Sequence, residues 1–103
     1  MAGFVTVGKA DDVSEGDLRA FDAQGVPVAV ARVGGVLFAF SDICTHRRCN
    51  LANGGEIEGT EIFCECHGSG FSMVTGEVTS PPATEPIPVY GVRDEGGELQ
   101  VEV

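Results

Sequence analysis

Cys44-Thr45-His46-Arg47-Arg48-Cys49 and Cys64-Glu65-Cys66-His67 hold every cysteine and histidine of this chain. Residues 47 to 63 separate His46 from Cys64. Each stretch offers a thiolate and an imidazole, at Cys-x-His spacing in the first and Cys-x-x-His spacing in the second, so two loops can grip one metal centre with mixed sulfur and nitrogen ligation. The bland reading, satisfied histidines and inert buried thiols, must gather all these residues between positions 44 and 67 by chance.

The spacing resembles the Rieske proteins, whose pattern is Cys-x-His, about fifteen to seventeen residues, then Cys-x-x-His around a [2Fe-2S] cluster. The likeness continues through Gly68, Phe71, Thr75-Gly76 and Pro81-Pro82-Ala83, covers essentially the whole chain, and is closest to the small soluble Rieske ferredoxins. It implies that Cys44 and Cys64 hold one iron of a single cluster per chain. His46 and His67 then hold the other through Nδ1, with Nε2 turned to solvent as the exit for electrons. Neutral imidazoles in place of two thiolates leave less negative charge on the core, which raises the reduction potential to about −150 to +300 mV, against roughly −400 mV for plant-type ferredoxins. The resemblance also implies that the potential falls with rising alkaline pH, because ferric iron favours loss of the imidazole protons.

Two rival centres use the same residues. Structural zinc is also bound by Cys2His2, but its usual pattern keeps the cysteines together and the histidines together, whereas each loop here mixes them. Cys44 and Cys49 have the Cys-x4-Cys spacing that opens the plant-type four-cysteine motif. That motif next requires Cys-x2-Cys, which Cys64-Glu65-Cys66 does not supply.

Cys49 and Cys66 are left over once the ligands are assigned. They stand where the Rieske proteins of quinol-oxidising complexes carry a disulfide between the two ligand loops, so the resemblance implies a Cys49–Cys66 bridge that clamps the loops and shields the cluster. The opposing reading is two free thiols, favoured by the rarity of disulfides in the cytosol. Ser69 matches a serine that donates a hydrogen bond to a cluster sulfur in those proteins, or else is only a turn residue between Gly68 and Gly70. Phe71 stands where they have a tyrosine donor. An intermediate potential is the expected result. Arg47 and Arg48 make a local cationic patch that either docks an acidic partner surface or is merely solvated.

Composition bounds the function. The chain has 103 residues, 16 acidic against 6 basic, for a net charge of −10. Basic clusters beyond the arginine pair are lacking, which argues against nucleic acid or an anionic membrane as partner. No 18-residue apolar run and no basic-then-apolar leader are present, so no membrane insertion and a cytoplasmic location are expected. The residues supply no nucleophile with a paired base, no phosphate loop and no nucleotide fingerprint, so an electron-transfer protein is expected rather than an enzyme.

Short runs rich in branched and aromatic residues predict strands at 4–7, 18–21, 26–33, 36–40, 61–63, 71–73, 88–92 and 99–103. Gly34-Gly35 and Gly96-Gly97 read as two-residue hairpins, and residues 9–13 as a short helix. The expected fold is all-β: a Rieske-like antiparallel β-sandwich base from 1–40 and 84–103, with an inserted smaller cluster-binding subdomain at 41–83, together one domain. Gly68 and Gly70 would let the backbone approach the cluster, and Pro81-Pro82 would form a stiff loop over it.

The family likeness implies a monomeric one-electron carrier between a flavin-dependent NAD(P)H reductase and a terminal oxygenase. The alternative is a Rieske component of an oxidase or respiratory complex. The third reading, different in class, is a structural Cys2His2 zinc module.

Overall fold

The computed structural model describes residues 3–45, 49–66 and 68–103. His46, Arg47, Arg48 and His67 therefore lie outside the described residues, and with them the expected imidazole ligands and arginine patch. Among the described residues the strands are β1 (Phe4–Lys9), β2 (Leu18–Ala23), β3 (Val26–Val33), β4 (Val36–Ser41), β5 (Glu56–Glu58), β6 (Glu61–Phe63), β7 (Gly70–Ser72), β8 (Val78–Ser80), β9 (Val89–Glu95) and β10 (Glu98–Glu102). One sheet has the order β1-β10-β9-β4-β3-β2 and the other β5-β6-β7-β8. Every pairing is antiparallel. In the larger sheet the edge strands β1 and β2 also touch, so it curls toward closure.

Strand β3 explains how the layers stack. Val28, Ala29, Val30 and Ala31 are all completely buried, a continuous apolar run of the kind found in strands covered on both faces. Side chains alternate along a strand. Val28 and Val30 accordingly enter one core with Val13, Ala39, Leu99 and Val101, inside the curled sheet. Ala29 and Ala31 face a second core containing Phe40, Leu51, Ile62, Phe71 and Met73. Small alanines on that face let the four-stranded sheet pack closely, and both non-bridged cysteines, Cys44 and Cys64, belong to this second core.

The turns follow their chemistry. Gly34 and Gly35 have φ of +61° and +78°, as a two-residue type I′ hairpin demands, and they join β3 to β4 where Val33 pairs with Val36. Glu15 covers this turn: its carboxylate accepts the Gly35 N–H at 2.8 Å and the Gly34 N–H at 2.6 Å. Those two bonds, Gly35 first, hold its pKa below the usual 4.5, with Arg32 adding to the effect. A depressed carboxylate contributes stability that is present above the unfolded-state pKa and lost as pH falls through the folded one. Thermal midpoints of wild type and Glu15→Gln, measured from about pH 6 to pH 3, should therefore converge below pH 4.5. A constant difference across that range would show that the charged form is not what the turn holds.

Three sequence expectations change. The short helix at 9–13 is a single 3-10 turn, Ala10–Asp12, and the Arg32 side chain donates to carbonyls of this turn and of the residue after it: Nη2 to Ala10 O at 3.0 Å and Nε to Val13 O at 2.7 Å. Strands β5 and β8 escape prediction because three residues are too few to show a readable alternation. Gly70 proves to be a sheet residue paired with Phe63 and Ser80. A Cβ there would lie 2.7 Å from the Phe63 ring and 2.8 Å from Thr79 Oγ1, so strand packing is the reason it must be glycine.

Candidate metal centre

The first loop leaves β4 and returns to β5, and Asp42 closes its mouth. This side chain is only 3% exposed, and its two carboxylate oxygens accept the Ala52 N–H at 2.7 Å and the Asn50 side-chain amide at 2.8 Å. Its backbone O accepts from Leu51 N at 2.6 Å, and its N–H donates to Pro27 O at 3.1 Å. Ile43 bridges Asn50, and Cys44 N donates to Cys49 O at 2.8 Å. The loop is thus drawn shut at its base, with Cys44 turned inward at 1% exposure.

The second loop is the connection between β6 and β7. Cys64 N donates to Ser69 O at 2.8 Å, and Gly68 N donates to Cys64 O at 2.9 Å. Gly68 has φ +79° with nothing near its Cβ position, so it serves the tight turn. Cys64 is buried, whereas Glu65 and Cys66 face out. A Cβ on Gly54, in the first loop, would fall on the Glu65 carboxylate, so that glycine admits the second loop against the first.

The third segment runs from β8 to β9 through a cis Pro81-Pro82 bond. Pro82 is exposed, but Ala83 behind it is buried. Ile87 N donates to Gly76 O at 2.9 Å. A Cβ on Gly76 would strike Ile87 O, which gives Thr75-Gly76 a packing reason for its composition.

Among the described residues, a covalent or hydrogen-bonded link joins each pair of these three segments. The Cys49–Cys66 disulfide ties first to second, with Cα atoms 6.6 Å apart. Ser69 Oγ accepts the Ala83 N–H at 3.1 Å and ties second to third. Thr45 Oγ1 donates to Glu85 O at 2.7 Å and ties first to third. Ser69 is fully buried, so its role exceeds that of an exposed turn residue. Its hydroxyl accepts in this bond and still has its own proton to donate. Ser69→Ala should leave the Ala83 N–H buried without a partner and cost about 1–3 kcal/mol, read as a lower denaturation midpoint. An unchanged midpoint would show that the third segment is held by other contacts.

The cysteines thus sort into two kinds. Cys49 and Cys66 form the bridge expected from the family likeness, and the free-thiol reading is overturned for them. Cys44 and Cys64 are outside any disulfide, buried, and share one apolar core with Leu51, Phe71, Met73 and Ala83. Two buried thiols presented by two clamped loops, in surroundings that exclude water, fit the sulfur side of a [2Fe-2S] centre, since thiolate ligands in a dry pocket are what such clusters require. The sulfur atoms of Cys49, Cys64 and Cys66 also lie within 4.8 Å of one another. Phe71, which lacks the hydroxyl of a donor tyrosine, is fully buried in the same core. Sequence reasoning missed Asp42, Thr45 and Gly54. An Asp two residues before a cysteine, a Thr and a Gly carry no signal until the loops they join are seen together.

Comparison with known proteins gives a consistent result. A family model described as the Rieske [2Fe-2S] domain matches residues 3–91. The chain is 35% identical, over 96% of its length and 91% of the relative's, to a biphenyl dioxygenase ferredoxin subunit of Pseudomonas sp. (strain KKS102). It is also 38% identical to a cytochrome b6-f complex iron-sulfur subunit of Chlorobaculum thiosulfatiphilum, over 92% of this chain but 51% of that longer protein. Among solved structures it is similar to a complex of reduced oxygenase and oxidised ferredoxin in carbazole 1,9a-dioxygenase. That match has a TM-score of 0.87 and 36% identity, and covers 96% of this chain and 92% of the other.

Proposed function

The chain belongs to the Rieske [2Fe-2S] domain family, and on that premise we propose that it is the ferredoxin component of a multicomponent oxygenase. It takes single electrons from a flavin-dependent NAD(P)H reductase and delivers them to a terminal oxygenase. The observation that carries this reading is the pair of buried cysteines outside the disulfide, Cys44 and Cys64, on facing loops of a chain that aligns over 96% of its length with 91% of a dioxygenase ferredoxin subunit. The cluster, when bound, supplies one-electron oxidation and reduction. Cys44 and Cys64 would provide its thiolates, and His46 and His67 its imidazoles. Ser69 would keep its hydroxyl proton to donate toward the cluster, Gly68 turns the second loop, and Pro82 would cover the cluster from the third segment.

The remaining residues serve positioning. Leu51, Phe71 and Met73 keep water from the sulfur side, while the three links between segments hold the ligand loops in one geometry in both redox states. Little rearrangement then accompanies electron gain, which favours fast exchange with a docked partner. Division at residues 41 and 83 separates the two structural tasks: the six-stranded sheet, built from 4–41 and 89–102, is the platform, and the strands of 56–80 carry the centre. The carrier acts as a monomer in the cytoplasm. Among the described residues no helix is long and apolar enough to cross a membrane.

The test is to mix the purified chain with an NAD(P)H-linked flavin reductase and then with a Rieske oxygenase. Rapid bleaching by the first and rapid recolouring by the second are expected. Bleaching with no transfer onward would remove the oxygenase role. A second reading, a component of a respiratory or oxidase complex, is favoured by the Cys49–Cys66 bridge. The reduction potential separates the two: a value near the top of the range of about −150 to +300 mV selects the second.

A further inference from the structure

Glu65 stands between Cys64, assigned above to the centre, and Cys66 of the bridge. Its side chain is exposed, yet it lies back across the gap from the second loop to the first. A Cβ added to Gly54 would land on the carboxylate, meeting Glu65 Oε2 first, then Cδ at 2.6 Å and Oε1 at 3.4 Å. Gly54, at φ +87°, thus leaves a notch that this carboxylate fills. Glu65 also lines an open recess of about 540 Å³ together with Cys49, Asn50, Asn53 and Cys66. The two asparagines bring no charge, and the only ion pair among the described residues, Arg93 with Glu95, belongs to β9.

Behind this recess is the sulfur side of the centre. Cys64 is buried, and its Sγ lies within 4.8 Å of both bridge sulfurs, whose residues line the recess. The carboxylate and the ligand sulfur are therefore neighbours across the bridge. A disulfide holds no reorienting dipoles of the kind that water supplies, so the charge is screened less on this side than on the side open to solvent.

We propose that Glu65, seated in the notch at Gly54, is a fixed negative charge that lowers the reduction potential of the centre. Electron gain adds one negative charge, and a carboxylate held nearby makes that charge more costly. Ser69 would act the other way, because a hydroxyl proton donated toward the centre favours the reduced state. The balance matters to both partners. Whatever factor Glu65 removes from the electron affinity of this chain, it adds to the equilibrium constant for transfer onward and takes from the constant for uptake. The inference rests on the proposed ligation by Cys64.

The test is a redox titration of the cluster-loaded whole chain, followed by visible absorption. Glu65→Gln keeps the shape of the side chain and removes its charge. It should retain iron and colour and raise the electron affinity threefold to tenfold, a rise in potential of about 28–59 mV, since tenfold is 59 mV for one electron. Glu102→Gln makes the same change in net charge on the exposed end of β10 and should leave the potential where it was. Gly54→Ala should displace the carboxylate and raise the potential in the wild type but not in the Glu65→Gln background, a coupling that a merely structural role for Gly54 would not produce. If Gly54→Ala does not load, the two glutamate variants decide alone. An unchanged potential in fully loaded Glu65→Gln would overturn the proposal, and so would an equal rise in Glu102→Gln. A wild type that takes up no [2Fe-2S] centre would instead refute the ligand reading beneath it.

Discussion

Cys44→Ala and Cys64→Ala should each yield protein with no visible colour and near-zero iron, whereas Cys49→Ala/Cys66→Ala should yield coloured protein. The four residues are chemically alike, so the expected split comes from structure. Cys44 and Cys64 are buried, outside the disulfide and in one apolar core, while the other pair is already bonded. A lost thiolate cannot be replaced by water in that core without burying an uncompensated polar group, so partial occupancy is not expected. Metal binding and folding are coupled when ligands come from separate loops. The colourless variants should therefore also show greater protease sensitivity between residues 43 and 69, where those loops lie. His46→Ala and His67→Ala are expected to lose colour as well. Iron content per chain and the visible spectrum check all of these, and a coloured Cys64→Ala would refute the ligand assignment.

Much of the fold was legible because strands announce themselves by branched residues and paired glycines. Val26 to Val33 and the Gly34-Gly35 turn needed no tertiary information. What stayed hidden depends on contacts distant in the chain. Strands β5 and β8 exist because β6 and β7 lie beside them, and three residues each carry no independent pattern. At the centre, the residue types identified the metal chemistry, but the links between segments were only partly visible. The bridge was foreseeable from family likeness, and Ser69 was expected to face the cluster. Its bond to Ala83 was not readable, because it joins a side chain to a backbone group 14 residues away. Asp42 was overlooked for the same reason: its importance lies in four hydrogen bonds, three to Asn50, Leu51 and Ala52 across its loop and one to Pro27, not in its neighbours in sequence.

Loss of the bridge should be the largest stability change that leaves the cluster in place. Cross-linking residues 17 apart restricts the unfolded chain by an amount worth about 3 kcal/mol in the loop-entropy model. The other two links between segments are single hydrogen bonds, Ser69 to Ala83 and Thr45 to Glu85, each worth about 1 kcal/mol net. Neither can take over the clamp. For a domain of this size each kcal/mol moves the thermal midpoint by about 4–8 °C, so Cys49→Ala/Cys66→Ala should unfold on the order of 10–20 °C below wild type. Loss of visible absorption on heating provides the readout, because it follows opening of the ligand loops directly. Dithiol treatment of the wild type should reproduce the shift, since reduction removes the same constraint without changing the residues. Wild type and the double variant should then melt together in the presence of the dithiol. If the oxidised proteins already melt within a few degrees of each other, the loops are held by packing of Leu51, Phe71 and Met73 rather than by the bridge.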